Sequence, residues 1–83
     1  MKLLYFTAPW CGPCRQLGPV MEQLQAEGYN IQKINVDNSQ DMATEYGVRN
    51  VPTVVAVDTL GNEKGRKIGL NPKDAYIALY NQG

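Results

Sequence analysis

The spacing of apolar positions changes several times along the chain, and each change marks an element. Leu3-Leu4-Tyr5-Phe6 follows Lys2 and is closed by Ala8-Pro9, which predicts a short buried strand over Lys2–Phe6. From Cys11 or Gly12 onward the period lengthens. Leu17, Val20, Met21 and Leu24 fall at i, i+3, i+4 and i+7, the apolar stripe of a helix that Gly28 stops. Pro19 lies within that stripe; it removes a backbone donor and kinks the helix rather than ending it, because the stripe continues past it. The segment Ile31-Gln32-Lys33-Ile34-Asn35-Val36 alternates at period two, so it predicts a strand in which Ile31 and Ile34 compete for the core face.

Asp37-Asn38-Ser39 supplies turn and N-cap chemistry ahead of a short helix from Gln40 to Tyr46, closed by Gly47. Val54-Val55-Ala56-Val57 is a β-branched strand, Thr59-Leu60-Gly61-Asn62 a turn, and Lys64–Ile68 the returning arm of a hairpin. The last helix is expected to take Asn71 as N-cap, Pro72 at N1 and Asp74 at N3, with Tyr76, Ile77 and Tyr80 facing the sheet. The order β-α-β-α-β-β-α predicts an α/β fold. Its four-stranded mixed sheet is flanked by helices, with helix-joined strands parallel and the closing hairpin antiparallel.

Composition narrows the chemistry this fold can carry. With 83 residues the chain is expected to form a single domain, 1–83, burying about two-thirds of its unfolded surface. Eight basic and eight acidic residues leave no net charge, so no electrostatic footprint points to nucleic acid or an anionic membrane. Lys64, Arg66 and Lys67 fit a solvated strand face better than a phosphate site. The apolar run after Lys2 ends too soon for a secretory leader, and no stretch approaches the roughly 20 residues of a membrane helix. A cytoplasmic monomer is expected.

There are two cysteines and no histidine. That removes Cys–His and Ser–His catalysis and the commonest metal ligand, leaving thiols to carry any chemistry. A structural disulfide between Cys11 and Cys14 would close so small a loop that it adds only about 2 kcal/mol on loop entropy. A structural zinc site needs four ligands, and one chain offers two thiols. Unrelated buried cysteines would have no reason to sit where a strand hands over to a helix. Redox chemistry does have one. A thiolate at a helix N-terminus faces unpaired N–H groups and the positive dipole end, which favour its charge.

For any thiol, lowering the pKa about 1.5 units from the ordinary ~8.5 raises the thiolate fraction at pH 7 some fifteenfold. Nucleophilicity falls in step, leaving a net gain of only about threefold. Position matters more: Cys14, one turn on, is placed to attack a mixed disulfide on Cys11 at high effective concentration. Pro13 sits in the first turn, where its missing donor is not needed. Trp10, beside a cysteine expected to be exposed, favours a docking surface over a core position.

Trp10-Cys11-Gly12-Pro13-Cys14 resembles the active-site motif of the thioredoxin family in full, and the likeness runs along most of the chain. Pro19 matches the family's helix-kinking proline, and Lys33-Ile34-Asn35-Val36-Asp37 is similar to the strand after the first helix. Tyr46-Gly47-Val48-Arg49 precedes Val51-Pro52-Thr53 as in thioredoxins, Gly61 fits the hairpin turn, and Gly69 the glycine after the last strand. The resemblance implies a protein-disulfide reductase with Cys11 as nucleophile and Cys14 as resolving thiol. Its redox-active centre would be a Cys11–Cys14 disulfide, with no bound cofactor and no metal. Pro52 would be cis beside the cysteines, the backbone of Val51 pairing with an extended substrate segment. Trp10, Gly12, Pro13 and Gly69 would complete the binding surface. A flavin-dependent thioredoxin reductase drawing on NADPH would be the electron donor, and disulfide-containing proteins the substrates.

Two departures from the family stand out. The chain begins just before the active-site strand, which implies a minimal core of the size seen in glutaredoxins. Tyr5 occupies the position, six residues before the first cysteine, where the family carries a buried aspartate that helps deprotonate the resolving thiol. Lys33, matching the lysine near that aspartate, is kept without its partner; Tyr5 and Lys33 are therefore the expected tuning residues. Two other functions compete: a glutathione-dependent, glutaredoxin-like reductase, and a thioredoxin-fold binding subunit of a larger assembly. Against the first, Ile68-Gly69-Leu70-Asn71 lacks the Gly-Gly pair usual in glutaredoxins.

Overall fold

A computed structural model describes residues 1–82. Its elements are β1 (Lys2–Thr7), α1 (Gly12–Ala26), β2 (Ile31–Asn35), α2 (Gln40–Glu45), β3 (Thr53–Val57), β4 (Glu63–Ile68) and α3 (Lys73–Asn81). The sheet order is β2-β1-β3-β4, with β1 and β2 parallel and the other pairs antiparallel. The expected order of elements and the mixed sheet are both present.

Both faces of the sheet are covered, which settles the competition expected between Ile31 and Ile34. Each is buried, on opposite sides. Ile31 joins Leu3, Tyr5, Val54 and Ala56 in the layer under Leu17, Met21 and Leu24 of α1 and Tyr76 and Leu79 of α3. Ile34 joins Leu4, Phe6, Val55 and Val57 in the other layer, covered by α2 and the loop after it. Three-residue spacing in a strand puts two side chains on opposite faces, and here each face has a partner. The same double cover explains why every residue of β3 is buried.

In α1 the buried row is Cys14, Leu17, Met21 and Leu24, while Val20 is only partly buried. The helix runs unbroken through Pro19. Beyond its end Gly28 takes φ +99°, a left-handed conformation that lets the Tyr29 amide turn back to the Leu24 carbonyl at 3.1 Å.

The start of α3 differs from expectation. Pro72 is the N-cap, in extended conformation, so Asp74 moves to N2 and Asn71 lies outside the helix. Asn71 is drawn back to the end of β4: its side-chain amide donates to the carbonyls of Ile68 and Gly69 at 3.3 and 3.4 Å. Its backbone N–H donates to the Tyr76 hydroxyl at 3.2 Å. A side chain committed to those carbonyls cannot cap the helix. Tyr76 is fully buried as expected, and Leu79 shares the layer with it. Ile77 and Tyr80 stay at the margin, Tyr80 meeting Tyr29 edge-on with ring centroids 5.0 Å apart. Among the expected basic cluster, Lys64 and Arg66 are tied to Asp58 and Glu63, consistent with a solvated strand face.

Leu24 has no exposed surface and lies where α1, β1 and β2 converge. Leu24→Ala is expected to lower the unfolding free energy by about 2–5 kcal/mol. Urea titration followed by far-ultraviolet circular dichroism should show this as a lower midpoint with an unchanged slope.

Candidate active site

The chain's chemistry gathers at one end of the sheet. Because β3 runs antiparallel to β1, the segment entering β3 lies beside the segment leaving β1. β2 runs parallel to β1 and exits at the same end, its ladder extended by the Val36 amide donating to the Thr7 carbonyl at 2.9 Å. The turn into α1 (Ala8 to Cys11), the turn after β2 (Val36 and Asp37) and Val51-Pro52 are thereby brought together.

Cys11 is the N-cap of α1, with extended backbone at φ −90° and ψ 115°. Its sulfur accepts a hydrogen bond from the Cys14 amide at 3.2 Å, the role a serine or aspartate oxygen usually plays. Cys11 and Cys14 are joined as a disulfide, with Cα atoms 5.2 Å apart. No acidic side chain sits in the first turn of the helix, so charge developing on the Cys11 sulfur meets the amides and the dipole unopposed. Gly12 and Pro13 are exposed at the rim, with a proline in the first turn as expected.

Cys11 itself corrects an expectation. It is only 5% exposed, walled by Ala8, Cys14, Val36 and Val51. The exposed neighbour is Trp10, at 66%. Its indole N–H is shared between the two carboxylate oxygens of Asp37, at 3.1 and 3.3 Å. The ring thus stands at the edge of a groove of about 320 Å³ lined by Val36, Val48, Arg49, Asn50 and Val51. An aromatic face held upright by a hydrogen bond beside an apolar groove is suited to docking. Sequence reading missed Asp37 in this role. The parallel pairing of β1 with β2 is what carries the residue after β2 to the tryptophan after β1.

The Val51-Pro52 bond is cis. Val51 is half-buried, and its carbonyl oxygen lies 3.5 Å from the Cys11 sulfur, within reach of a thiol proton. Pro52 is buried, and its carbonyl accepts the Gly69 amide at 2.9 Å. Gly69 has φ +77°, so the turn after β4 that fastens Pro52 requires a residue without Cβ strain. The expected site residues Trp10, Cys11, Gly12, Pro13, Cys14, Val51, Pro52 and Gly69 are therefore one assembly.

Tyr5 and Lys33 lie on the other side of Cys14. They face each other in register across β1 and β2 and line a second groove that reaches Cys14. The Tyr5 hydroxyl donates to the Cys14 carbonyl at 3.1 Å, a contact the sequence did not suggest. Burial pushes the Tyr5 phenol above its ordinary value, and repulsion from Tyr76 and Glu22 adds to this. At neutral pH it is a hydrogen-bond donor, and it cannot serve as a base. Among the described residues no group of three or more His, Cys, Asp or Glu is placed to hold a metal.

Comparison with known proteins agrees with this geometry. The family model described as Thioredoxin matches residues 1–82. The thioredoxin of Chlamydia caviae is 44% identical over 84 residues, an alignment covering 99% of this chain and 81% of that protein. Among solved structures, a point mutant of thioredoxin from Halobacterium salinarum superposes with a TM-score of 0.81 at 42% identity, covering 98% of this chain and 74% of that one. Reduced thioredoxin pre-protein from Schistosoma mansoni gives a TM-score of 0.87 at 25% identity, covering 96% and 75%.

A phenol whose folded pKa is raised stabilises the fold fully below its unfolded pKa of about 10, and that stability is lost as pH rises through the folded value. Urea midpoints measured from about pH 8 to 11 should therefore fall more steeply for the wild type than for Tyr5→Phe above pH ~10. Near neutrality Tyr5→Phe is expected to be less stable by about 1 kcal/mol, the worth of the bond to Cys14. Parallel pH profiles would show that Tyr5 titrates as it does in the unfolded chain.

Proposed function

The chain belongs to the thioredoxin family and is a thiol–disulfide oxidoreductase, and on that premise we propose that it reduces protein disulfides with Cys11 as the attacking thiol and Cys14 as the resolving one. The observation that carries this division of labour is the sulfur cap: Cys11 holds the N-terminal position of α1, where the Cys14 amide already points at its sulfur. In the reduced protein that amide and the helix dipole stabilise a thiolate on Cys11.

The thiolate attacks one sulfur of a substrate disulfide. A bond forms between that sulfur and Cys11, the substrate S–S bond breaks, and the other substrate sulfur leaves as a thiolate and takes a proton. Cys14 then gives up its proton and attacks the Cys11 sulfur. The internal disulfide forms, and the second substrate sulfur leaves reduced. Two electrons have passed from the dithiol to the substrate. Cys14, about as buried as Cys11, needs only a short approach to it.

Trp10 and the groove beside it receive the apolar part of the substrate segment. Val51, held by the cis bond to Pro52, presents its backbone to that segment, and Gly69 keeps Pro52 in place. Electrons return through a thioredoxin reductase that draws on NADPH through a flavin, and the site of action is the cytoplasm, where thiols are kept reduced.

Insulin-disulfide reduction tests the reading. With NADPH and thioredoxin reductase the wild type should turn over, whereas millimolar glutathione as sole reductant should support little. Cys11→Ser should fall to background, and Cys14→Ser should stall as a covalent mixed disulfide visible by mass spectrometry. Activity retained by Cys11→Ser, or equal turnover on glutathione, would overturn the assignment.

A further inference from the structure

A groove of about 350 Å³ leads from Cys14 along α1, and at its far end lies a carboxylate that the site described so far does not use. The residues that matter on its walls are Tyr5, Cys14, Arg15, Gly18, Glu22 and Lys33. Cys14, Gly18 and Glu22 are spaced by four residues each and form one row on the helix, spanning about 12 Å between the outer Cα atoms. Side chains on a helix lean toward its N-terminus, so Glu22 leans back over Gly18 toward Cys14. At Gly18 even a Cβ would meet nothing within 4 Å, so the middle of the row is open. The Cys14 sulfur leans the same way, toward Cys11, so only the reach of Glu22 shortens the gap, and about two hydrogen-bonded waters bridge the rest. The groove has room for roughly ten.

Cys14 must shed a proton to attack Cys11, and few groups facing it can take one. Tyr5, on β1, has its hydroxyl committed to the Cys14 carbonyl and is held protonated by burial. Arg15 bonds the Pro9 carbonyl at 3.3 Å, and a guanidinium has no lone pair to offer. Lys33, on β2, brings positive charge to the wall opposite α1. Tyr76, reaching Tyr5 from α3, is occupied with its hydroxyl donating to the Gly69 carbonyl. The ion pairs among the described residues are Lys64–Asp58, Arg66–Glu63 and Lys73–Glu27, so Glu22 and Lys33 are committed to none of them.

We propose that Glu22 accepts the Cys14 proton through the water of this groove during resolution, with Lys33 holding the charge of the carboxylate from the facing wall. Glu22 is a positioning residue outside the cysteine motif, acting on Cys14 at a distance. The step balances: the Cys14 proton moves to Glu22 and on to solvent, the Cys14 sulfur bonds to the Cys11 sulfur as the bond from Cys11 to the substrate sulfur breaks, and the departing substrate thiolate takes a proton from solvent on the docking side. The inference rests on Cys14 being the resolving thiol.

Stopped-flow reaction of the reduced protein with one equivalent of dithiobis-nitrobenzoate separates the two steps, since each releases one coloured thionitrobenzoate. The wild type should show two phases, and Cys14→Ser the first alone; a second release from Cys14→Ser would overturn the role of Cys14 itself. Glu22→Gln, at an exposed position, should keep the first phase and slow the second about tenfold near pH 7, a modest share of what a general base supplies. That deficit should shrink steadily as pH rises and hydroxide takes over removal of the Cys14 proton. Glu22→Asp, which keeps the carboxylate, should recover most of the rate. A second phase in Glu22→Gln equal to wild type, or both phases slowed alike at every pH, would overturn the relay while leaving the roles of the two cysteines intact.

Discussion

The amide of Cys14 points out of the first turn of α1, and the acceptor it finds is the sulfur of Cys11 at 3.2 Å. That hydrogen bond is structural and chemical at once. A helix needs something at its N-cap to satisfy amides that have no intrahelical partner. Here the cap is also the group on which the proposed reaction places negative charge. Sulfur is a weak acceptor when protonated and a strong one when ionised, so the helix gains from the thiolate just as the thiolate gains from the helix. An aspartate in the first turn would have stabilised the helix through its dipole but opposed the charge on sulfur; none is present.

The sheet supplies what the helix cannot, a second wall. Because β1 has β2 parallel on one side and β3 antiparallel on the other, three connecting segments meet at one end of it. The Val51 carbonyl comes to 3.5 Å from the Cys11 sulfur, and Pro52 is fastened to the end of β4 through Gly69. The redox centre is thus bound to all four strands. It is buried against them on one side, and Cys11 is flanked by the exposed Trp10, Gly12 and Pro13. Low exposure of Cys11 confines attack to partners that can lay a segment across those residues.

The order of elements is readable from the sequence because the best-buried elements are regular: period 3.6 in α1 and unbroken apolar residues in β3. The motif was readable because two cysteines and no histidine leave so little else. Misreadings came where one local signal served two masters. Asn71 has the chemistry of an N-cap, but the carbonyls of Ile68 and Gly69 claim its amide, a tertiary matter no local pattern records. Ile31 and Ile34 compete only in a strand with one covered face, whereas this sheet has two. Cys11 is buried rather than exposed because its wall of Val36 and Val51 comes from segments distant in the chain. Asp37 and Glu22 carry no signal of their own as single carboxylates and acquire one only from the strand pairing and helix row that place them.

Tyr5 shows why acid–base chemistry would move outward in this chain. An ionised carboxylate buried beneath α1 without a matched cation destabilises a fold by several kcal/mol, out of a total typically near 5–15. A phenol fills the same space, stays neutral, and contributes a hydrogen bond to the Cys14 carbonyl, so the position becomes stabilising. The cost falls on the proton of Cys14, which loses its nearest possible acceptor. A solvent-facing carboxylate one row along the helix, reached past a glycine and faced by a lysine, restores an acceptor without burying a charge. On this view the groove beside Cys14 follows from placing tyrosine in the core.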